Sequence, residues 1–144
     1  MKVRDAMTRD VRILDPDQTI AQAAQVMADV DIGAVPVGEK DRLVGMLTDR
    51  DIAVRAVAER KSPETRIREV MSREIRYCFE DEDIEHVAEN MGDIQVRRLP
   101  VMNREKRLVG IVSLGDIALT HLPEVAGQGL AGVSEPGGEH NQIR

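Results

Sequence analysis

The chain repeats itself, and no other feature constrains its fold as strongly. Displaced by 64 residues, Val3-Arg4-Asp5-Ala6-Met7-Thr8-Arg9-Asp10 lies over Ile67-Arg68-Glu69-Val70-Met71-Ser72-Arg73-Glu74. The same displacement sets Ile20, Ala24, Met27 and Asp29 on Ile84, Ala88, Met91 and Asp93, and Val35-Pro36-Val37 on Leu99-Pro100-Val101. One extra residue in the following loop raises it to 65. Leu43-Val44-Gly45 then meets Leu108-Val109-Gly110, and Asp51-Ile52-Ala53 meets Asp116-Ile117-Ala118. Of 50 aligned pairs, 17 are identical. A unit of about 55 residues buries little of its surface and is marginal alone. Two copies packed sheet to sheet, sharing one core, is therefore the expected solution.

Each copy predicts the same elements. Val11-Arg12-Ile13-Leu14 and Ile75-Arg76-Tyr77-Cys78-Phe79 have the pattern of short strands. Thr19-Ile20-Ala21-Gln22 is a capping box, with Asp83 as N-cap of the second copy. Ile20, Ala23, Ala24, Met27 and Ile84, Val87, Ala88, Met91 then form one apolar helical stripe each. Strands follow at 34–37 and 43–47, and at 99–102 and 108–112, joined by charged loops such as Gly38–Arg42. A second helix opens near Asp49 and near Leu114. The fold class is α/β (α+β), two tandem β-α-β-β-α repeats packed as a pseudo-twofold intramolecular pair. Repeat 1 spans 1–60, a linker 61–66, repeat 2 67–122 and a flexible Gly- and Pro-containing tail 123–144.

Composition narrows the function classes. Aromatics make up 1% of the 144 residues, leaving Tyr77 and Phe79, so the core must be aliphatic. The net charge of −6 and the lack of stacking platforms argue against a general nucleic-acid binder. The longest uncharged stretch is 18–28, too short to span a membrane, and no secretory signal is visible. Cys78 is the single cysteine, so neither an intramolecular disulfide nor a Cys-based metal cluster forms, and a cytoplasmic setting is expected. His86, His121 and His140 share no metal-type spacing, and no metal site is expected.

The strongest local signal is Gly45-Met46-Leu47-Thr48-Asp49-Arg50-Asp51 with its partner Gly110-Ile111-Val112-Ser113-Leu114-Gly115-Asp116. Thr/Ser-x-x-Asp before an apolar run is a helix-capping box. It also suits nucleotide binding, because a carboxylate accepts bonds from both ribose hydroxyls and a helix start favours phosphate. One Thr can serve both purposes. Asp49 and Asp51 have no partner His, so an acid/base pair is not expected. Between Arg97 and Arg107 five cations face one acid, a local +4 where phosphate would bind. The acidic run Glu80-Asp81-Glu82-Asp83 with Glu85 crowds a helix start, where carboxylates favour the dipole.

Two copies of Met-Thr/Ser, strand, helix, apolar-Pro-Val, Leu-Val-Gly and Thr/Ser-x-x-Asp closely resemble a tandem pair of CBS domains, the Bateman module, over residues 3–122. The chain is most similar to the small stand-alone proteins of that family. The resemblance implies clefts between the repeats that bind AMP, ADP, ATP or S-adenosylmethionine, with no obligatory cofactor. It implies ribose contacts from Asp51 and Asp116 and phosphate contacts from Thr48 and Ser113. The adenine would lie by Thr8, Val11, Val35 and Pro36 in one copy, and by Ser72, Ile75, Leu99 and Pro100 in the other. Arg97-Arg98-Leu99-Pro100 matches the family's phosphate-binding cation pattern; Gly33-Ala34-Val35-Pro36 does not, leaving Arg50 to compensate. Two unequal sites are expected. A homodimer, a disc of four CBS units, is implied as well.

The resulting expectation is a non-catalytic regulatory sensor, signalling ligand occupancy to an unknown protein target. The alternative is a ligand-free structural or dimerisation module. Binding of RNA is the least favoured reading.

Overall fold

The computed structural model describes residues 1–40, 42–120 and 123–136; His121, His140 and the end of the expected tail (137–144) lie outside them. The fold is mixed α+β, and the chain divides into two compact units. Neither unit is a contiguous stretch. One comprises 12–75, and the other joins 1–11 to 76–144. Each unit therefore takes its opening segment from the start of the other repeat.

The 12–75 unit is built on a helix and a hairpin. Helix α1 (Ile20–Val30) starts at Thr19, whose side chain accepts from Gln22 N while the Gln22 side chain accepts from Thr19 N, the expected capping box. Ile20, Ala23 and Met27 are buried, but Ala24 is exposed. Strands β1 (Ala34–Glu39) and β2 (Arg42–Thr48) pair antiparallel. Helix α2 (Asp49–Asp51) runs into a π-helical stretch, Ile52–Val57. The strand expected at 11–14 shrinks to one parallel bridge, Leu14 to Val37. Asp15-Pro16 ends it, because Pro lacks the next donor.

The other unit repeats the pattern. Strand β3 (Cys78–Phe79) pairs parallel with β4 (Arg98–Met102), which pairs antiparallel with β5 (Leu108–Ser113). Helix α3 (Ile84–Ile94) and helix α4 (Leu114–Ala118) complete the repeat. Asp83 is the N-cap of α3 by position, but its side chain makes no capping bond and instead accepts from Lys2 Nζ at 3.0 Å.

The opening segments close each core. A 3₁₀ turn at Val3–Asp5 carries Val3 and Met7 into the cluster around Ile84, Met91, Leu99 and Ile117. Its counterpart Ile67–Glu69 carries Ile67, Val70 and Met71 into the cluster around Ile20, Val35 and Leu47. In place of the one shared core expected from the sequence, each unit has its own, completed by a borrowed segment.

Backbone pairing fixes the borrowed segments. Thr8 and Ile111 exchange N–H···O bonds of 2.8 and 2.9 Å, and Ser72 and Met46 exchange bonds of 2.9 and 3.0 Å. This approach explains the glycine in both Leu-Val-Gly runs. A Cβ on Gly110 would lie 2.7 Å from Thr8 O, and one on Gly45 would lie 2.6 Å from Ser72 O.

The structure departs from the expected tail over 123–133, which form helix α5 (Pro123–Val133) with Ala126, Gly129 and Val133 buried. The glycines read as flexibility, yet here they permit contact: a Cβ on Gly132 would sit 2.7 Å from Gly92 Cα, and one on Gly129 3.0 Å from Ala88 O. Gln95 Nε2 holds the end of α5 by donating to Gly132 O and Glu135 O, at 3.2 and 2.9 Å. This cover buries Ala88, whereas its counterpart Ala24 stays exposed.

Two outcomes are expected. Gly45→Ala and Gly110→Ala should each cost about 1–3 kcal/mol by forcing backbone apart. Gly127→Ala, whose Cβ meets nothing within 4 Å, should be neutral or mildly stabilising in the same thermal unfolding series. Burial, with the nearby Glu82 charge, pushes the Cys78 thiol up to about 12. It should therefore resist thiol reagents at neutral pH and react only as the protein unfolds, as read by labelling across a denaturant series.

Candidate ligand-binding site

The two Thr/Ser-x-x-Asp segments have the same geometry. Thr48 Oγ1 accepts from Asp51 N at 3.0 Å and Thr48 N donates to Asp51 Oδ2 at 3.0 Å. Ser113 Oγ and Asp116 Oδ2 repeat both bonds at 3.0 Å. These reciprocal bonds lock each carboxylate in one rotamer. A carboxylate accepts several bonds, so the capping role leaves Oδ1 of each available for other donors. Asp51 Oδ1 lies 3.8 Å from Arg55 Nε, a weak ion pair on a side chain that is 16% exposed. The helix-start contribution expected from the sequence is reduced, because the Asp51 and Asp116 N–H groups are already bonded to the capping Thr48 and Ser113.

Strand register gathers further residues beside Asp116. Arg98 is the partner of Ser113, Pro100 that of Ile111, and Ile111 bridges to Thr8. Because side chains alternate along a strand, Arg98 and Pro100 share a face with Ile111 and Ser113. Leu114 N donates to Arg97 O at 3.0 Å, which ties the start of α4 to the strand carrying both arginines. Arg97 and Arg98 are exposed, and their side chains make no hydrogen bond or ion pair among the described residues. Val11 is half-buried in the same unit.

The 12–75 unit assembles the corresponding set without the cations. Ala34 is the partner of Thr48, Pro36 that of Met46, and Met46 bridges to Ser72. Asp49 N donates to Gly33 O at 2.9 Å, so Gly33 and Ala34 stand where Arg97 and Arg98 stand in the other unit. Arg50, the substitute expected from the sequence, is exposed on α2, while Arg55 Nε is the cation within 3.8 Å of Asp51 Oδ1. Ile75 is half-buried in this unit.

This grouping corrects the sequence-derived one. Thr8 and Val11 belong with Leu99, Pro100, Ser113 and Asp116; Ser72 and Ile75 belong with Val35, Pro36, Thr48 and Asp51. The cause is the exchange of opening segments, which a linear reading of the repeat does not reveal. Val35 and Leu99, 0% and 1% exposed, point into the cores, so only their backbone is available to a ligand.

The local +4 is also smaller than it looks. Arg104 donates to both Asp81 oxygens, at 2.9 and 2.7 Å, and its guanidinium carbon lies 4.1 Å from the Phe79 ring centre. These contacts occupy it in structure. Their other half explains the acidic run: hydrogen bonding to Arg104 lowers the Asp81 pKa, and bonding to Lys2 lowers that of Asp83. Among the described residues, no cluster of three His, Cys, Asp or Glu side chains is arranged to hold a metal, and no helix is long and apolar enough to cross a membrane.

Known proteins share this architecture. The family model described as CBS domain matches residues 3–57 and 67–120. The CBS domain-containing protein YhcV of Bacillus subtilis (strain 168) is 42% identical over 133 residues, covering 92% of this chain and 94% of that protein. The crystal structure of Hypoxic Response Protein I with two coordinated zinc ions superposes with a TM-score of 0.74 at 41% identity, over 82% of this chain and 97% of that one. The CBS domain pair of protein MJ0100, in complex with 5-methylthioadenosine and S-adenosyl-L-methionine, gives a TM-score of 0.74 at 30% identity, over 82% and 93%. The duplicated β-α-β-β-α repeat, its Thr/Ser-x-x-Asp segments and these matches establish that the chain belongs to the CBS domain family, as a tandem pair.

Proposed function

We propose that this CBS pair is a non-catalytic regulatory module that binds adenosine-containing ligands, with Asp116 and Asp51 reading the ribose. The observation that carries this reading is the pair of carboxylates, each held in one rotamer by its capping box with an oxygen left over. The stronger site is the one at Asp116. There Ser113, the unpaired Arg97 and Arg98, Pro100, Val11 and the Thr8 backbone provide a phosphate-binding end and a wall without aromatics. At Asp51, with Thr48, Ser72, Ile75 and Pro36, the cations are Arg50 and the Asp51-paired Arg55, with none at the positions of Arg97 and Arg98, and phosphate-bearing ligands bind less well. The complex of MJ0100 with methylthioadenosine and S-adenosylmethionine supports the ligand class. AMP, ADP and ATP belong to the same class, and the Arg97–Arg98 pair favours them at Asp116.

In this reading occupancy alters what the protein presents to a protein target in the cytoplasm, by differential affinity for two states. A homodimer belongs to the same proposal. Ala24, Val54 and Val57 on the first repeat are exposed, the last two at 47% and 66%, and favour a dimerisation role whether or not ligand is bound.

Calorimetry with AMP, ATP, S-adenosylmethionine and methylthioadenosine tests the reading. Asp116→Asn should weaken all four ligands by roughly ten- to a hundredfold at the stronger site, the cost of a bond to a charged acceptor. Arg98→Gln should weaken AMP and ATP but leave methylthioadenosine, which has no phosphate, unchanged. Binding indifferent to Asp51→Asn and Asp116→Asn together would contradict the ribose assignment.

A further inference from the structure

The far end of the β1–β2 hairpin carries a groove that the ligand reading does not use. It has a volume of about 400 Å³ and is walled by Lys40, Arg42, Arg68 and Arg73 against, among the described residues, one carboxylate, Glu39. The apolar floor is Val44 and Met71. All of these residues lie in the 12–75 unit. Arg42 and Thr48 are at opposite ends of β2, roughly 20 Å apart at the rise of a strand, so the hairpin end of the groove lies away from Asp51.

Its arginines are oriented by the protein. Arg68 is held by Asp17 Oδ1 at 2.8 Å and Glu39 Oε2 at 3.3 Å, and Arg73 Nη2 donates to Arg68 O at 3.2 Å. Each guanidinium has five N–H donors, so most remain for a ligand. Arg42 is exposed, and its side chain has no partner among the described residues.

The arrangement occurs twice. Arg4, Arg9 and Arg107 occupy the positions of Arg68, Arg73 and Arg42 in the other unit, and Arg9 Nη2 donates to Arg4 O at the same 3.2 Å. There, however, Arg104, the counterpart of Lys40, is tied to Asp81 and Phe79. In the 12–75 unit Lys40 and Arg42 make no side-chain hydrogen bond or ion pair among the described residues, so that set keeps two uncommitted cations.

From this geometry we propose that the Arg42–Arg68–Arg73 groove binds a small molecule with two or more adjacent phosphate groups. Converging guanidinium groups recognise phosphate oxygens by paired, charge-assisted bonds, and ordering them in advance reduces the entropic cost of capture. The volume suits a compact ligand. A net charge of −6 disfavours an extended polyanion such as RNA.

The test is calorimetry with inorganic tripolyphosphate, without divalent cations and at about 0.15 M salt, where diffuse attraction is screened beyond roughly 8 Å. The background is the full chain carrying Arg97→Gln and Arg98→Gln, which disables the phosphate end proposed at Asp116. Saturable binding should persist in that background. Adding Arg42→Gln and Arg73→Gln should weaken it at least tenfold, with the unliganded melting temperature unchanged because both side chains are exposed. Absence of saturable binding in the background protein, or wild-type affinity after the groove substitutions, would overturn the proposal. Methylthioadenosine binding, which needs no phosphate contact, reports separately on the adenosine reading.

Discussion

Two short backbone pairings hold this protein together: Thr8 with Ile111, and Ser72 with Met46. Each lays an opening segment against the closing strand of the other repeat, and each needs a glycine opposite. Everything apolar in those segments follows. Val3 and Met7 fill one core, and Ile67, Val70 and Met71 fill the other. A repeat of this size is marginal in the aliphatic surface it encloses alone, with two aromatic rings in the whole chain. The borrowed segment supplies the deficit. Duplication is thus a condition of the fold.

The same pairing builds the proposed ligand site. It brings the Thr8 backbone into register with Pro100 and Ile111, two residues from the Arg98–Ser113 pair, with the Asp116 carboxylate fixed at the start of α4. The two sites differ at the positions of Arg97 and Arg98, occupied by Gly33 and Ala34 in the first repeat. The backbone frame is equivalent in both halves, and the charge on it is not. The proposed inequality of the two sites toward phosphate rests on that one difference.

Local signals were legible wherever a short-range pattern decides the structure. The capping boxes at Thr19, Thr48 and Ser113, the hairpins and most of the buried stripes follow from residue type and spacing. Long-range facts were not legible. The regrouping of Thr8 and Ser72 depends on which strand accepts them, and the periodicity of the repeat is the same either way. The glycines of Leu-Val-Gly were the one available clue, since a glycine inside a strand signals close backbone approach. In helix α5, Gly129 and Gly132 suggested flexibility, because the partner that rewards small residues, Ala88 and Gly92, is forty residues away. The side-chain partners of Asp83 and Arg104 were not legible for a similar reason: both spend their charge on distant residues, Lys2 and Asp81.

Native-state hydrogen exchange on the full chain carrying Val3→Ala and Met7→Ala tests the segment exchange most directly. These truncations remove buried volume at the start of the first repeat, at a cost of several kcal/mol. Protection should fall most in α3 and β5 of the second repeat, at Ile84, Val87, Met91 and Val112, and least in α1 and β2, at Ile20, Ala23 and Leu47. Loss concentrated instead in α1 and β2 would show that residues 1–11 stabilise their own repeat, and would contradict the account.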